Sequence, residues 1–217
     1  MNPRLTNAAA NLKRRARKAA KARARGLPAI WLMSDAQRLP DPATAVALLP
    51  RGAGLILRHY EGADRAVLAK RLSILCRRRG VVLVIAGDWR LAASVGAAGL
   101  HLAEHMARPG PPPGARLWLR NFHKHRGAKF LTVAAHGGAG LRRARARQAS
   151  AAILAPVFVT ASHPGRHPLG ALRTAALVRE TSLPVLALGG ITAATIGRLR
   201  ASGCVGMAGI SFAVSQL

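Results

Sequence analysis

Eight short apolar runs recur along the chain, and stretches with helical spacing separate them. The runs are AIWLMSD (29–35), GLILRHY (54–60), VVLVIAGD (81–88), GLHLAE (99–104), FLTVAAH (130–136), AAILAPVF (151–158), PVLALGG (184–190) and VGMAGIS (205–211). Nearly continuous apolar strands, rather than alternating ones, belong to a parallel sheet covered on both faces. Between them, segments such as RAVLAKRLSILCRRRG (65–80) bring apolar residues round at helical spacing. Eight strand–helix pairs predict an α/β fold, a closed (β/α)8 barrel rather than an open sheet. ARPGPPPGAR (107–116) reads as a loop, being rich in Pro and Gly. The eighth run ends six residues before Leu217, so the closing helix is expected to be missing or vestigial.

The 217 residues suit one domain of this type with an ample core. Before the first strand lies NPRLTNAAANLKRRARKAAKARAR (2–25), rich in strong helix formers and free of acids and aromatics. It predicts a basic helix ended by Gly26-Leu27-Pro28, and a division into an arm over 1–26 and a barrel over 27–217. Such a segment is either an arm for nucleic acid or membrane, or a helix lying against the barrel.

Charge sharpens the picture. The chain carries 34 Lys and Arg against 7 Asp and Glu, a formal +27. That field attracts phosphorylated metabolites and, without sequence preference, nucleic acid. Few aromatics (4%) argue against base stacking along a single strand. Cys76 and Cys204 lie far apart without metal-binding spacing, which points to a reducing, cytoplasmic setting. No run is long enough to span a bilayer.

The glycines at the last two strand exits suggest a ligand. In parallel barrels a phosphate is often held by the loops after the seventh and eighth strands. Gly189-Gly190 ends the seventh, Thr192 is placed to cap the next helix, and Gly209-Ile210-Ser211 ends the eighth. Glycines let backbone N–H groups approach an anion closely; such pairs also serve as plain turns. Thr160, Ser162, His163, Arg166 and Gly170 lie on the loop after the sixth strand, either as a polar cover over the ligand or as an ordinary surface loop.

These stretches carry a resemblance. LPVLALGGITAATIGRLRASGCVGMAGIS, AAILAPVFVTASHPGRHPLG and LVIAGDWRLAASVGAAGLHLAEH resemble, in that order from the C-terminal end, three signature segments of the thiamine phosphate synthase / thiazole tautomerase family. The resemblance covers roughly residues 29–212 and implies the same barrel. It implies either a synthase, joining hydroxymethylpyrimidine diphosphate to thiazole phosphate with Mg²⁺ and releasing diphosphate, or a tautomerase acting on a thiazole phosphate without that metal chemistry. A homodimer is a further expectation.

By the same resemblance, Asp88 stands at the family's first metal carboxylate. The second falls at Met106, which cannot ligate Mg²⁺, so Glu104 two residues earlier is the candidate in its place. Asp88 could instead cap the helix that begins at Trp89, and Glu104 could be a rim carboxylate. Arg58 matches the family's pyrimidine diphosphate arginine. His136 matches a histidine that suits proton transfer. Thr160, Ser162, His163, Gly170, Gly189, Gly190, Ile210 and Ser211 are the phosphate and substrate candidates. Ile56, Tyr60, Gly87, Ala134 and His163 depart from the usual synthase residues. His101, between two leucines, reads as structural, and a non-catalytic phosphate-binding or nucleic-acid-binding barrel is the third reading.

Overall fold

The computed structural model describes residues 2–60, 64–121, 129–160, 165 and 167–210, except the side chains of Ala19 and Asn121. Strands β1 (Ile30–Met33), β2 (Gly54–Leu57), β3 (Val82–Ala86), β4 (Gly99–Leu102), β5 (Phe130–Ala135), β6 (Ala151–Leu154), β7 (Val185–Leu188) and β8 (Gly206–Gly209) form the expected closed barrel. Each strand pairs in parallel with its neighbours in sequence, and β8 closes onto β1 with Ile30 opposite Met207.

Side-chain alternation explains why the runs are apolar throughout. Trp31, Met33, Ile56, Val84, Ala86, Ile153, Leu186 and Ala208 fill the barrel interior. Their neighbours in the chain, such as Leu32, Leu55, Leu57, Ile85, Val133 and Leu154, pack against the helices outside. The inner layer is tight. Gly54 faces Trp31 across the β1–β2 register, and a Cβ there would lie 2.2 Å from the indole. Only a residue without a side chain lets that ring lie inside, where its Nε1 donates to the Pro28 carbonyl.

The outer layer holds α3 (Pro42–Ala47), α4 (Arg65–Arg79), α5 (Trp89–Ser94), α6 (Pro113–Asn121), α7 (Gly138–Ala146) and α8 (Gly170–Arg179). Part of the stretch expected as a loop, 107–116, begins α6. Pro113 opens that helix, where its missing N–H costs nothing. After β7 only a 3₁₀ turn forms, Ile196–Leu199, in place of the expected helix. Residues 211–217, on which the expected closing segment falls, lie outside the described residues.

The basic N-terminal segment forms two helices, α1 (Pro3–Arg15) and α2 (Lys18–Arg23), separated by extended backbone at Ala16 and Arg17. The break follows from two different docking surfaces. Leu5, Ala9 and Leu12 of α1 join the outer core, where the helix packs against β8 and the 3₁₀ turn. Ala16, Ala20, Ala24 and Leu27 instead join the inner cluster beneath Trp31, closing the barrel end that lies at the strand starts. One straight helix could not reach both.

Candidate functional site

Parallel strands carry their exits to one mouth of the barrel, so the expected site residues are delivered there by topology. At the β2 exit, the Ser34 hydroxyl accepts the Arg58 backbone N–H at 2.8 Å and bonds Nδ1 of His59 at 2.9 Å. His59 is buried, and its Nε2 has no hydrogen-bond partner among the described residues. Arg58 is close enough to act on His101. Burial, and secondly the Arg58 charge, push that imidazole down to about 3. His101 therefore stands neutral beneath the mouth, bonded to Thr132 Oγ1 at 3.0 Å, as the structural reading expects.

At the β3 exit, Asp88 is the N-cap of α5, with Oδ1 accepting the Leu91 N–H at 2.9 Å. Its Oδ2 lies 3.9 Å from Arg65, a residue that nothing in its local sequence singles out. Arg65 opens α4, donates to the Ala86 carbonyl at 2.5 Å, and has its guanidinium 6.0 Å from the Tyr60 ring centroid. A Cβ on Gly87 would touch both Tyr60 and Met106, at 3.3 and 3.4 Å. An aromatic ring and a thioether thus converge at two of the positions that depart from the synthase pattern.

Glu104 and His136 meet across the β4 and β5 exits. Oε2 of Glu104 accepts the His136 backbone N–H at 2.9 Å and contacts its Nδ1 at 2.5 Å. Oε1 accepts from the Arg143 guanidinium of α7. Partial burial works against the Glu104 charge, but hydrogen bonds from His136 and Arg143 outweigh it and lower its pKa. The carboxylate stays ionised and fixes the imidazole ring, leaving Nε2 as the ring atom for proton exchange. Arg143 is a second participant that its place in an Ala/Arg helix did not distinguish.

The opposite side of the mouth is backbone. Val157 and Phe158, after β6, donate to the carbonyls of Leu188 and Gly189 at 2.8 and 3.0 Å. Gly170, at the start of α8, donates to the Val157 carbonyl at 2.9 Å. Two expected positions, Gly170 and Gly189, are therefore laced to one segment, and Gly190 packs closely against it. Gly190 has φ +63°, and a Cβ would lie 2.2 Å from the Val159 carbonyl oxygen. Thr195 Oγ1 donates to the Gly190 carbonyl, while Thr192 Oγ1 accepts from Ala194 and Thr195, so Thr192 caps a turn. Arg198 stacks on Phe158 at 4.9 Å and brings a cation that sequence reading did not anticipate. Thr160 is partly buried at the end of this segment, and Ile210 is buried after β8. Ser162, His163, Arg166 and Ser211 lie outside the described residues.

Mg²⁺ fits this mouth poorly. Asp88 has one oxygen in a helix cap and the other facing Arg65, Glu104 gives both oxygens to His136 and Arg143, and Met106 offers only a thioether. Among the described residues no group of three His, Cys, Asp or Glu side chains is arranged to hold a metal. Among them, too, no helix is long and apolar enough to cross a membrane.

Comparison with known proteins agrees with the barrel. The family described as thiamine monophosphate synthase matches residues 34–213. A thiamine-phosphate synthase of Salinispora arenicola (strain CNS-205) is 32% identical over 190 residues, covering 84% of this chain and 87% of the relative. One of Laribacter hongkongensis (strain HLHK9) is 31% identical over 174 residues, covering 76% and 75%. Among solved structures, a thiamine phosphate pyrophosphorylase from Pyrococcus furiosus superposes with a TM-score of 0.67 at 18% identity, covering 86% of each chain. At that identity the last match speaks for the fold alone.

Proposed function

The chain belongs to the thiamine monophosphate synthase family, and from that premise we propose that it is a synthase-type enzyme of thiamine biosynthesis, condensing hydroxymethylpyrimidine diphosphate with thiazole phosphate. The observation that carries this reading is the backbone cradle on one side of the mouth, laced from Gly170 through Val157 to Leu188 and from Phe158 to Gly189. Backbone at the glycines and the first turn of α8 would take the thiazole phosphate, with Arg198 at its edge. Across the mouth, Arg58 would hold the pyrimidine diphosphate. Its always-charged planar guanidinium suits a leaving group whose charge grows as the carbon–oxygen bond breaks.

In this reading the carbon–oxygen bond of the pyrimidine diphosphate breaks, the thiazole nitrogen forms the new bond to that carbon, and diphosphate departs with the electron pair. The family's synthase chemistry is associated with Mg²⁺. Asp88 Oδ2 is the one family-matched carboxylate oxygen here without a hydrogen bond, and no step above is routed through a metal. The test is a coupled assay following thiamine phosphate by fluorescence after oxidation, with Arg58→Ala and Asp88→Ala beside the parent and Mg²⁺ titrated. Turnover that Arg58→Ala abolishes supports the reading. No turnover in the parent, with thiazole phosphate still raising Tm, refutes it.

One observation favours a second reading. The Glu104–His136 pair, braced by Arg143, is a positioned acid–base unit that needs no metal. It suits a tautomerase acting on a thiazole carboxylate phosphate, and loss of that isomerisation in His136→Ala would select it.

A further inference from the structure

One cavity lies away from the mouth. It has a volume of about 690 Å³ and lies at the opposite end of the barrel, where Leu27, Phe130, Ser150 and Pro184 stand at the starts of β1, β5, β6 and β7. Among the described residues six cations line it: Arg23 and Arg25 from the end of α2, Arg116 and Arg120 from α6, Lys129 before β5, and Arg147 after α7. Among the same residues no carboxylate does. Apart from Pro184, the walls come from two acid-free parts of the chain, because neither residues 1–34 nor residues 105–179 contain an Asp or Glu. None of these arginines forms an ion pair with a carboxylate of the described residues.

Six like charges around one hollow repel one another. Lys129 is buried, with its ammonium 4.5 Å from the Trp118 ring centroid, and burial pushes its pKa down to about 8. Arg147 and Arg116 are anchored to the carbonyls of Ala107 and Pro111. Arg23, Arg25 and Arg120 are exposed.

We propose that this hollow is a second binding site, taking a small molecule that carries two or three phosphates on a ring-sized body, of the nucleoside polyphosphate class. The volume lies within the range of sites that enclose a small ligand, roughly 300–1,000 Å³. Leu27 and Pro184 offer an apolar floor for the ring, and the arginine forks match phosphate oxygens in pairs. A nucleic-acid strand would require a longer track with aromatics for stacking. Among the described residues the lining has one aromatic, Phe130, and its ring is already edge-on to Trp31 at 6.4 Å.

The test uses the whole chain and isothermal titration with metal-free ATP at about 0.15 M salt, where long-range attraction is largely screened. Adenosine is the neutral control. The expected result is one ATP per chain, no adenosine binding, and affinity at least about tenfold weaker in Arg25→Ser/Arg120→Ser, as loss of charge-assisted hydrogen bonds implies. Lys70→Ser/Arg78→Ser removes as much exposed charge from α4 and should leave ATP binding unchanged. Equal weakening in the two double variants would assign the binding to the general field and overturn the site. Unaltered binding in Arg25→Ser/Arg120→Ser would move it elsewhere, with the phosphate cradle the first alternative. No ATP binding by the parent overturns the proposal directly. A short single-stranded RNA that binds more tightly than ATP through the same arginines would overturn the ligand class in favour of nucleic acid.

Discussion

A neutral histidine sealed inside a barrel should make the protein acid-sensitive in a way one substitution removes. His101 is buried, and burial together with the Arg58 charge lowers its folded pKa to about 3, against 6.5 ordinarily. The unfolded chain then takes up the proton first as pH falls. Stability from this group is complete above about pH 6.5 and drains away toward about pH 3. At about 1.4 kcal/mol per unit of difference, the loss comes to about 1 kcal/mol near pH 5.5 and about 3 kcal/mol near pH 4.5. His101→Gln keeps a polar partner for Thr132 but cannot take the charge. Urea unfolding, followed through the three tryptophans, would be measured for parent and variant from neutral pH downward. The variant should start somewhat less stable, and the gap should close and then reverse as the solution is acidified. Parallel acid limbs would refute the reasoning.

Other substitutions probe other parts of the same argument. Gly54→Ala drives a methyl into the Trp31 indole and should cost more than about 2 kcal/mol of unfolding free energy. Adding Trp31→Leu should recover part of that loss, whereas simple addition of two costs would refute the packing account. Glu104→Gln should shift the pH profile of turnover by loosening His136, without altering the Mg²⁺ concentration for half-maximal rate. A raised Mg²⁺ requirement would instead return Glu104 to the metal. Because Lys129 is lowered to about 8, its unfolded form holds the proton to higher pH. The parent should therefore gain stability between about pH 8 and about pH 10.5, and Lys129→Met should lack that gain in thermal melts.

The barrel was legible because its strands are buried on both faces. The eight apolar runs then carry a signal that neither alternation nor a surface helix would imitate. Glycines at the β7 exit were legible as a pair. Their close approach to Val159 was not, because that contact comes from a segment some thirty residues earlier in the chain. Arg65, Arg143 and Arg198 escaped for a simpler reason. In a chain with 34 cations, one more arginine on an Ala-rich helix carries no local mark. Only the fold shows that it reaches a carboxylate or an aromatic face. The break between α1 and α2 was equally hidden. Helix propensity favours one continuous rod there, and docking on two differently oriented surfaces overrides it.

Scarcity of acids links the mouth to the rest of the molecule. Each carboxylate with a described partner is spent locally. Asp35 holds Arg38, Asp41 caps α3 and meets Arg71, Asp88 caps α5 beside Arg65, and Glu104 serves His136 and Arg143. A metal at the mouth would have to take a carboxylate from one of these partners and leave a cap or a guanidinium unpaired. Leaving a partly buried charge unpaired costs on the order of 1–3 kcal/mol. With so few acids, the same residue cannot both neutralise the cationic surround and ligate a metal. Arginine therefore becomes the cheaper means of handling a diphosphate, and Asp88→Asn should retain more turnover than Arg58→Ala. The opposite order would mean that the metal, not the guanidinium, carries the leaving group's charge.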